Sequence, residues 1–463
     1  MEGKKAEATS PCPKNFNRHI SNSKRISNIA PPPFLLFLEI SMMNRRKFLK
    51  ATGAAAATSA VTSVGPWVHT ASAQTGPIRI GLMAPLTGVV AAGGREVVEG
   101  FNLYWEQVGK KVAGRDIEVI VEDDGANPDT SLQKARRLVE QRNVHWLVGN
   151  ILANTGLAVA EYVKGNGVPY FIPVIAADEL TQRKRLNNVV RIAGYSSSQT
   201  PRPIADYGLK QGYKKAVTIS QDYAFGHEQC GGFCQTFTEG GGQIMQQFWN
   251  PLNTADFSPY LAQIQNLKPD VVFVMETGAD ASRFIQQFAN FGLKDKIPVL
   301  YCQNATDQSV IRTMGAEAEG LISGAHFCEG RDEAANNKFL AEYNKAYNKL
   351  PSIYGFSHYS GAMWLAEAIK RVNGKIEDKV AFLNEVRQVK LTGSPLGKSV
   401  ELDPYGNPVY DVYIRKTVKR PDGKLWNVPV TSYPNVGQFW KYAPEQYMSQ
   451  PPYSRTYQGI KKA

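Results

Sequence analysis

An alternation of apolar strands and amphipathic helices, which begins near residue 78 and then repeats, constrains the fold of this chain more than any other feature. The run IRIGLMAPL (78–86) is typical of a buried strand, and Val97, Phe101 and Trp105 follow it at helical spacing. The next apolar run, DIEVIVEDD (116–124), is again strand-like. Strands that alternate with helices predict a parallel sheet with both faces covered.

The same order continues and then starts again. A helix is predicted at 128–141, with proline at its start and with Leu132, Ala135, Leu138 and Val139 facing the core. The later segments are, in chain order, VHWLVGN, TGLAVAEYVKGNG, VPYFIPVI, KKAVTIS, QIMQQFW, DFSPYLAQIQNL, DVVFVME, ADASRFIQQFANFG and PVLYC. The chain therefore predicts an α/β fold with two doubly wound, Rossmann-like lobes.

The last third of the chain changes character twice. Residues 336–393 return to long helices, whose aromatic stripes we interpret as core rather than as a ligand box. Residues 396–430 are β-like and contain a turn at 403–408. The stretch from Tyr433 to Tyr457 is aromatic and rich in proline, which predicts a surface wrap.

The segment NRRKFLK (44–50) is typical of the charged start of an export signal. An uncharged, alanine-rich run and the small-residue cleavage pattern ASA (71–73) follow it. The paired arginines resemble the twin-arginine type, so we predict a signal peptide at 42–73, cleavage before Gln74 and a periplasmic location. Segment 1–41 is then interpreted as a mis-set start that is disordered. The alternative is a basic surface loop before an alanine-rich helix.

Charge and length limit the function classes. The 463 residues include 53 basic and 41 acidic side chains, a net charge of +12, of which the segment before Gln74 contributes +7. The remaining excess is scattered, so it gives no reason to expect a nucleic-acid partner. No apolar run reaches the roughly 18 residues that a membrane-spanning helix needs. About 390 residues exceed one hydrophobic core and predict two domains.

Four cysteines lie beyond the predicted signal, in a compartment that permits disulfides. Cys302 and Cys328 both end strand-like runs, so a bridge between them is a candidate if those strands are neighbours. Cys230 and Cys234 share a predicted helix, which favours free or buried thiols. The histidines are dispersed and none is spaced with cysteines as zinc ligands are, so no metal site is predicted.

The motifs of common catalytic and nucleotide-binding sites are missing from the sequence. No G-x-G-x-x-G follows a strand, no G-x-x-x-x-G-K-[ST] loop occurs, and Gly355-Phe356-Ser357 does not continue into a serine elbow. Asp123 and Asp124 end a strand, where paired catalytic or metal-binding acids are one interpretation and a solvated strand end is the favoured one. We therefore predict a binding protein that needs no cofactor, rather than an enzyme.

A series of blocks extends from about Pro77 to about Lys416: IRIGLMAPLTGVVAAGGREVVEGFNLYWEQV, VHWLVGNILANTGLAVAEYVKGNGVPYFIPVIAADELT, VVRIAGYSSSQTPRPIADY, QDYAFGHE and DFSPYLAQIQNLKPDVVFV. In this order the blocks resemble periplasmic solute-binding proteins of the leucine–isoleucine–valine type. The resemblance implies two lobes joined by a three-strand hinge, which close around a small solute. It also implies a monomer that delivers the solute to an ABC permease in the inner membrane.

The resemblance divides the chain as well. Lobe 1 is expected at 77–196 with 327–393, lobe 2 at 197–326 with 394–430, and a C-terminal tail at 431–463. Crossings between the lobes are expected near residues 194–200, 325–330 and 392–396. Loops at the carboxyl ends of both sets of strands then face one cleft.

Those loops supply the candidate ligand-binding residues. Backbone N–H groups at the helix that begins near Asn154 and Thr155 suit a carboxylate, although these side chains also suit simple helix capping. Tyr223 suits stacking on a ligand or packing within its own loop. Gly93 and Gly94 either allow a close backbone approach or form a turn. The full set is Thr87, Gly93, Gly94, Asn154, Thr155, Val174, Ala176, Tyr223, Phe225, Glu276, Thr277 and Gln303.

The resemblance also bears on the ligand. It places Ala153 at a serine that holds the α-carboxylate in amino-acid-binding members, and Val174 and Ala176 at an alanine and a threonine near the ammonium. Gln303 takes the place of the glutamate that pairs with the ammonium, although Glu276 offers a substitute charge. A desolvated ammonium without a counter-charge costs several kcal/mol, so we expect an aromatic or other carboxylate, or an amide. The alternatives are a true branched-chain amino acid, an exported Rossmann-like enzyme, and a sensory module.

Overall fold

Six strands build the first sheet, in a computed structural model that describes residues 76–461. The predicted signal peptide and start segment lie outside the described residues. The strands are β1 (Ile78–Ala84), β2 (Lys111–Val112), β3 (Arg115–Asp123), β4 (Trp146–Gly149), β5 (Tyr170–Phe171) and β6 (Val189–Val190). Their order is β2-β3-β1-β4-β5-β6, and every neighbouring pair is parallel except β2–β3.

Nine strands build the second sheet. They are β7 (Lys215–Gln221), β8 (Gln243–Asn250), β9 (Val271–Met275), β10 (Val299–Cys302), β11 (Ile322–Ala325), β12 (Leu391–Ser394), β13 (Gly397–Leu402), β14 (Pro408–Lys419) and β15 (Leu425–Val436). The parallel part has the order β8-β7-β9-β10-β11, and β14 continues it antiparallel to β11 with β15 beside it. The two predicted α/β lobes are confirmed.

Helices cover both sheets. They are α1 (Ala91–Gln107), α2 (Pro128–Arg136), α3 (Ala153–Asn166), α4 (Pro201–Lys210), α5 (Ala224–Glu239), α6 (Ser258–Leu267), α7 (Gly278–Asn290), α8 (Gln308–Ile311), α9 (Ala334–Tyr347), α10 (Ile353–Arg371), α11 (Lys379–Gln388) and α12 (Pro444–Met448). Helix α10 packs on α1 so closely that a Cβ on Gly100 would lie 2.0 Å from the Gly355 oxygen. The late helices therefore return to the first lobe. No helix within residues 76–461 has the length and apolarity needed to cross a bilayer.

Helix α2 begins at the predicted residue but ends earlier than predicted. The Asn127 side chain accepts hydrogen bonds from the N–H groups of Asp129 and Thr130, at 2.9 and 3.0 Å, which caps the helix. The predicted helix over 128–141 divides in two, because residues Arg137–Gln141 form a π-helical turn. Ala135 and Leu138 are fully buried as expected.

The chain passes between the lobes after β6, after β11 and after α11. Residues 194–200 and 325–330 lie in the first two passages, whereas the crossing expected at 392–396 lies two residues later than the third passage, in β12 and the turn after it. Arg191, which is fully buried, ties the first passage to the turn before β14. Its guanidinium donates to the Ala177 oxygen at 2.6 Å and to Asn407 Oδ1 at 2.7 Å. The first passage is therefore bonded to the turn between β13 and β14 of the second lobe.

The C-terminal segment (437–461) contacts both lobes. Strand β15 extends to Val436, beyond the predicted lobe boundary at 430, and the segment then continues with little regular structure apart from α12. Arg183, which lies between β5 and β6 of the first lobe, donates to the Tyr447 oxygen at 2.9 Å. Arg202 of α4 in the second lobe lies 4.9 Å from the ring centre of Tyr442. The segment therefore straps the two lobes together.

The candidate bridge between Cys302 and Cys328 does not form. Strands β10 and β11 are parallel neighbours, but Cys302 is paired with Gly324, four residues before Cys328. Four residues of strand span roughly 13 Å, well beyond the Cα separation of about 7 Å that a disulfide tolerates. All four cysteines of the described part are buried free thiols.

Candidate ligand-binding site

A narrow cavity with an accessible volume of about 10 Å³ lies between the lobes. The first lobe and its passage contribute Ile151, Leu152, Ala153, Val174, Ala176, Tyr195 and Tyr354, and the second lobe contributes Tyr223, Phe225, Thr277 and Asn304. Most of these residues directly follow the carboxyl ends of β4, β5, β7, β9 or β10, where doubly wound sheets place their ligands. This volume is room for about one water molecule, so a ligand of the size of an aromatic acid needs the two lobes to move apart.

The wall of the cavity is apolar and aromatic. Among the described residues, those that line it include no Asp, Glu, Lys, Arg or His. The rings of Tyr195 and Phe225 meet edge to face with centres 6.4 Å apart, and Tyr223 lies 6.1 Å from Phe225. Aromatic rings prefer such offset or edge-on neighbours. The cavity therefore suits a small molecule with a flat apolar part.

Three helices begin at the cavity. Leu152, Tyr223 and Thr277 line it, and they directly precede α3, α5 and α7. Each of these three helices lacks a cap from the side chain of the residue before it, a feature that they share with α1, α4, α6, α9 and α12 within residues 76–461. The first N–H groups of a helix have no partner inside the helix and carry partial positive charge. The Thr155 N–H donates to Asn154 Oδ1 at 3.1 Å and the Ala279 N–H donates to the Val89 oxygen at 3.4 Å, so the other early N–H groups of these helices are the donors left for an anion.

Asn154 and Thr155 act on the start of α3 rather than on the cavity. The Thr155 hydroxyl is buried and donates to the Leu152 oxygen at 2.7 Å. The Asn154 side chain accepts from the Thr155 N–H at 3.1 Å. Neither side chain is part of the cavity wall, so the capping interpretation describes them better than direct ligand contact.

A chain of hydrogen bonds forms one polar side of the cavity. The Tyr195 hydroxyl donates to Asn304 Oδ1 at 3.3 Å, and Asn304 Nδ2 donates to the Tyr354 oxygen at 3.1 Å. Burial raises the pKa of both tyrosines well above its usual value, so both hydroxyls are protonated. Tyr354 comes from α10 in the first lobe and Asn304 from the second, so this chain also joins the lobes.

Thr277 forms a second polar group with residues behind the wall. Its hydroxyl donates to Gln221 Oε1 at 2.8 Å, and Gln221 Nε2 in turn donates to Asp280 Oδ2 at 2.6 Å. Burial also raises the pKa of Tyr223 well above its usual value, while the neighbouring Thr277 hydroxyl lowers it. These bonds hold the Thr277 side chain in one orientation.

Glu276 is buried behind the cavity wall. Its Oε2 accepts from Asn250 Nδ2 at 3.4 Å, and neither residue belongs to the cavity lining. Burial and then the nearby Asp280 raise the pKa of the Glu276 carboxyl far above its ordinary value. Burial therefore favours the neutral form of this carboxyl and weakens it as a counter-charge for a ligand.

Gln303 also lies behind the wall, and its neighbour Asn304 faces the cavity. Gln303 Oε1 contacts Nδ1 of the buried His326 at 2.8 Å, and its amide lies near the Tyr195 hydroxyl. Burial lowers the pKa of His326 to about 3, so this histidine is neutral. The cavity-facing position that the sequence assigned to Gln303 is therefore occupied by Asn304, one residue later in this loop.

The three candidates from the first loop serve packing and turn formation. The Thr87 hydroxyl donates to Asp123 Oδ2 at 3.0 Å on the surface. A Cβ on Gly94 would lie 1.8 Å from the Pro85 oxygen, and one on Gly93 would lie 2.5 Å from the Tyr354 ring. Gly93 therefore admits the tyrosine that lines the cavity, rather than the ligand itself.

The acidic pair at the end of β3 is structural. Asp123 accepts from the N–H of Leu86 at 2.8 Å, and the buried Asp124 accepts from Asn150 Nδ2 at 2.6 Å. Burial raises the pKa of Asp124 to about 6. Within the described part of the chain, no three Asp, Glu, His or Cys side chains are grouped as a metal site requires. Both carboxylates hold loops in place.

Comparisons with known proteins agree with this geometry. The profile of the family described as periplasmic binding protein matches residues 77–424. Leu/Ile/Val-binding protein homolog 6 of Brucella abortus is 27% identical over 367 residues, which cover 78% of this chain and 92% of that protein.

Two solved structures extend the comparison. A solute-binding protein of an ABC transporter from Rhodopseudomonas palustris BisB5, in complex with 3,4-dihydroxybenzoic acid, is 30% identical, with a TM-score of 0.74 over 78% of this chain and 98% of that one. Another from R. palustris, in complex with benzoate, is 27% identical with the same TM-score and coverage. The resemblance in the sequence is thus confirmed, and the chain belongs to the periplasmic binding protein family, with the two-lobed fold of ABC-transporter substrate-binding proteins.

Proposed function

We propose that this protein is the periplasmic substrate-binding component of an ABC transporter of the branched-chain-amino-acid type, and that it captures a small aromatic carboxylate. The observation that carries the proposal is the meeting of three uncapped helix starts, those of α3, α5 and α7, at a cavity with an aromatic wall. Helix starts attract anions through their N–H groups and dipoles. A carboxylate at these starts leaves the aromatic wall to hold a ring.

The same cavity disfavours an α-ammonium group. Ala153, Val174 and Ala176 supply no hydroxyl, and Glu276, whose neutral form is favoured by burial, is not part of the cavity lining. Three helix starts add positive potential where an ammonium would need negative charge. Because burying an unpaired ammonium costs several kcal/mol, an ordinary branched-chain amino acid fits poorly.

Hydrogen bonds between the two lobes support a mechanism of hinge closure. Asn304 in the second lobe donates to Tyr354 in the first, and the Ala279 N–H donates to the Val89 oxygen at 3.4 Å. Contacts made only in the closed state, including those of a ligand that touches both lobes, shift the equilibrium toward closure. A permease that recognises the closed form then receives loaded protein.

The relatives support both the main reading and one alternative. The benzoate and dihydroxybenzoate bound to the two R. palustris proteins are aromatic carboxylates. The name of the Brucella relative favours leucine, isoleucine or valine instead. The absence of a charged partner for the ammonium among the described cavity residues leads us to prefer the first.

The proposals on export and delivery are based on the sequence. We propose export by the twin-arginine-type signal at 42–73, release of a monomer that begins near Gln74, and delivery to an inner-membrane ABC permease. The protein then acts as a receptor, with neither catalysis nor nucleic-acid binding. Mass spectrometry of the periplasmic form checks this, since a form that retains segment 1–41 would contradict it.

Calorimetry on the chain that begins at Gln74 tests the ligand class. We expect micromolar or tighter binding of benzoate or a hydroxybenzoate, and no binding of leucine, isoleucine or valine. Phe225→Ala should weaken binding of the aromatic acid about 10- to 100-fold, because a buried aromatic side chain contributes about 1.5–3 kcal/mol. Phe291, which is 37% exposed and outside the cavity, provides the control Phe291→Ala. Micromolar binding of any of the three amino acids would overturn the proposal.

A further inference from the structure

We propose that Tyr195, Asn304 and Tyr354 together recognise a hydroxyl group on the ring of the ligand, so that the protein prefers hydroxylated aromatic acids to benzoate. This inference rests on the proposed function, because it names the part of an aromatic carboxylate that lies away from the helix starts. All three residues line the cavity and are at least 96% buried. Their polar atoms are therefore unavailable to bulk water.

The direction of the hydrogen bonds determines what this side of the cavity can accept. Tyr195 uses its proton on Asn304 Oδ1, and Asn304 uses an amide proton on the Tyr354 oxygen. Among the described residues, the Tyr354 proton has no acceptor and the Tyr195 oxygen accepts no hydrogen bond that meets normal geometry. The chain therefore presents one free donor, the Tyr354 hydroxyl, and one acceptor, the Tyr195 oxygen, beside which the Gln303 amide also lies.

A ring hydroxyl matches this pair, because it donates one hydrogen bond and accepts another. A carboxylate only accepts, so it would use the Tyr354 proton and face the Tyr195 oxygen without a bond. An aromatic amine donates but accepts poorly, so it would leave the Tyr354 proton unpaired. Unpaired buried polar groups are costly, and this cost separates a hydroxyl from its analogues.

Packing holds the two tyrosines in position. The Tyr195 ring lies 4.8 Å from that of His326, and the Tyr354 ring lies where a side chain at Gly93 would be. Asn304 follows β10, whose register with β9 and β11 places the loop. The donor and acceptor are thus oriented before the ligand arrives, which reduces the ordering cost of binding.

Calorimetry with benzoate, 3-hydroxybenzoate, 4-hydroxybenzoate, 3,4-dihydroxybenzoate and 4-aminobenzoate tests the inference. We expect at least one hydroxylated acid to bind the wild-type protein tenfold or more tightly than benzoate and 4-aminobenzoate. Tyr354→Phe keeps the ring but removes both the free donor and the acceptor of the Asn304 amide, so benzoate should bind more weakly and the preference for the hydroxylated acid should fall below threefold. Tyr359→Phe is the matched control on α10, because its hydroxyl donates to Gln107 outside the cavity and the preference should persist.

Each outcome has one reading. Similar affinities for benzoate and all hydroxybenzoates would overturn the inference and leave the proposed function intact. Failure to bind any of the five acids would overturn both. A preference that survives in Tyr354→Phe would also refute the role of this chain. Tyr195→Phe tests the acceptor, because it removes the Tyr195 oxygen and should also reduce the preference. The melting temperatures of both variants show whether a lost preference reflects lost recognition or lost folding.

Discussion

Glu276 offers the sharpest test of the charge reasoning, because exclusion of an ammonium requires this buried carboxyl to be neutral. The perturbation is Glu276→Gln, which puts a neutral amide of nearly the same shape in its place. Its Oε1 can still accept from Asn250 Nδ2, as the carboxyl does at 3.4 Å. We expect the variant to fold and to become more stable than the wild-type protein as pH rises.

The magnitude follows from the pKa shift. Burial and the nearby Asp280 raise the pKa of Glu276 well above its usual value. A carboxyl with a raised folded pKa contributes stability that is present below its unfolded pKa, about 4.3, and is lost as pH rises toward the folded value. While the pH lies between the unfolded and the folded pKa, the loss is at most about 1.4 kcal/mol per pH unit. The Gln variant avoids this loss.

Urea unfolding followed by tryptophan fluorescence measures the difference. The free energies of unfolding of wild type and Glu276→Gln should diverge as the pH rises from 5.0 to 6.5, while Glu118→Gln, at an exposed position on β3, should track the wild type at both pH values. A Gln variant less stable than wild type, by an amount independent of pH, would mean that native Glu276 is ionised. That result would refute the reasoning and restore a counter-charge for an amino acid.

Three further outcomes are expected. Gly94→Ala should destabilise the protein by several kcal/mol, because the added Cβ would lie 1.8 Å from the Pro85 oxygen. Gly165→Ala, which has open space at the end of α3, should stabilise the protein by up to about 1 kcal/mol. Melting temperatures check both variants. The cysteines of the chain that begins at Gln74 should react with a thiol reagent only after unfolding, all four at once, and fewer than four would indicate a disulfide. Solution scattering should show a smaller radius of gyration when the bound aromatic acid saturates the protein, and an unchanged radius would contradict hinge closure.

The lobes and their strand ends were predictable because apolar periodicity records which face of each element is buried. Doubly wound sheets bind ligands at the carboxyl ends of their strands, so the loops that follow the strands could be chosen from the sequence. The predicted residues from these loops that line the cavity are Val174, Ala176, Tyr223, Phe225 and Thr277. Their contact with a ligand remains a proposal that the binding experiments test.

Side-chain direction within those loops was less predictable. Gln303 and Asn304 are adjacent, and consecutive residues near a strand end point to opposite sides, so a displacement of one residue exchanges a wall residue for one behind it. The position of Tyr354 on a helix with other aromatic residues was compatible with either core packing or a place in the cavity wall. An aromatic stripe on a helix predicts core packing, and the same ring packs on Gly93 while its hydroxyl reaches the cavity.

The C-terminal segment has a consequence for how the protein comes apart. Its contacts run from Arg183 in the first lobe to Arg202 in the second, and farther along Arg455 pairs with Asp222 at 2.6 Å and Gln458 bonds to the His227 oxygen at 3.0 Å. Melting either lobe alone would release these contacts and remove support from the other. Unfolding of the two lobes is thereby coupled into one cooperative transition, and a chain that stops after Val436 should melt in two steps.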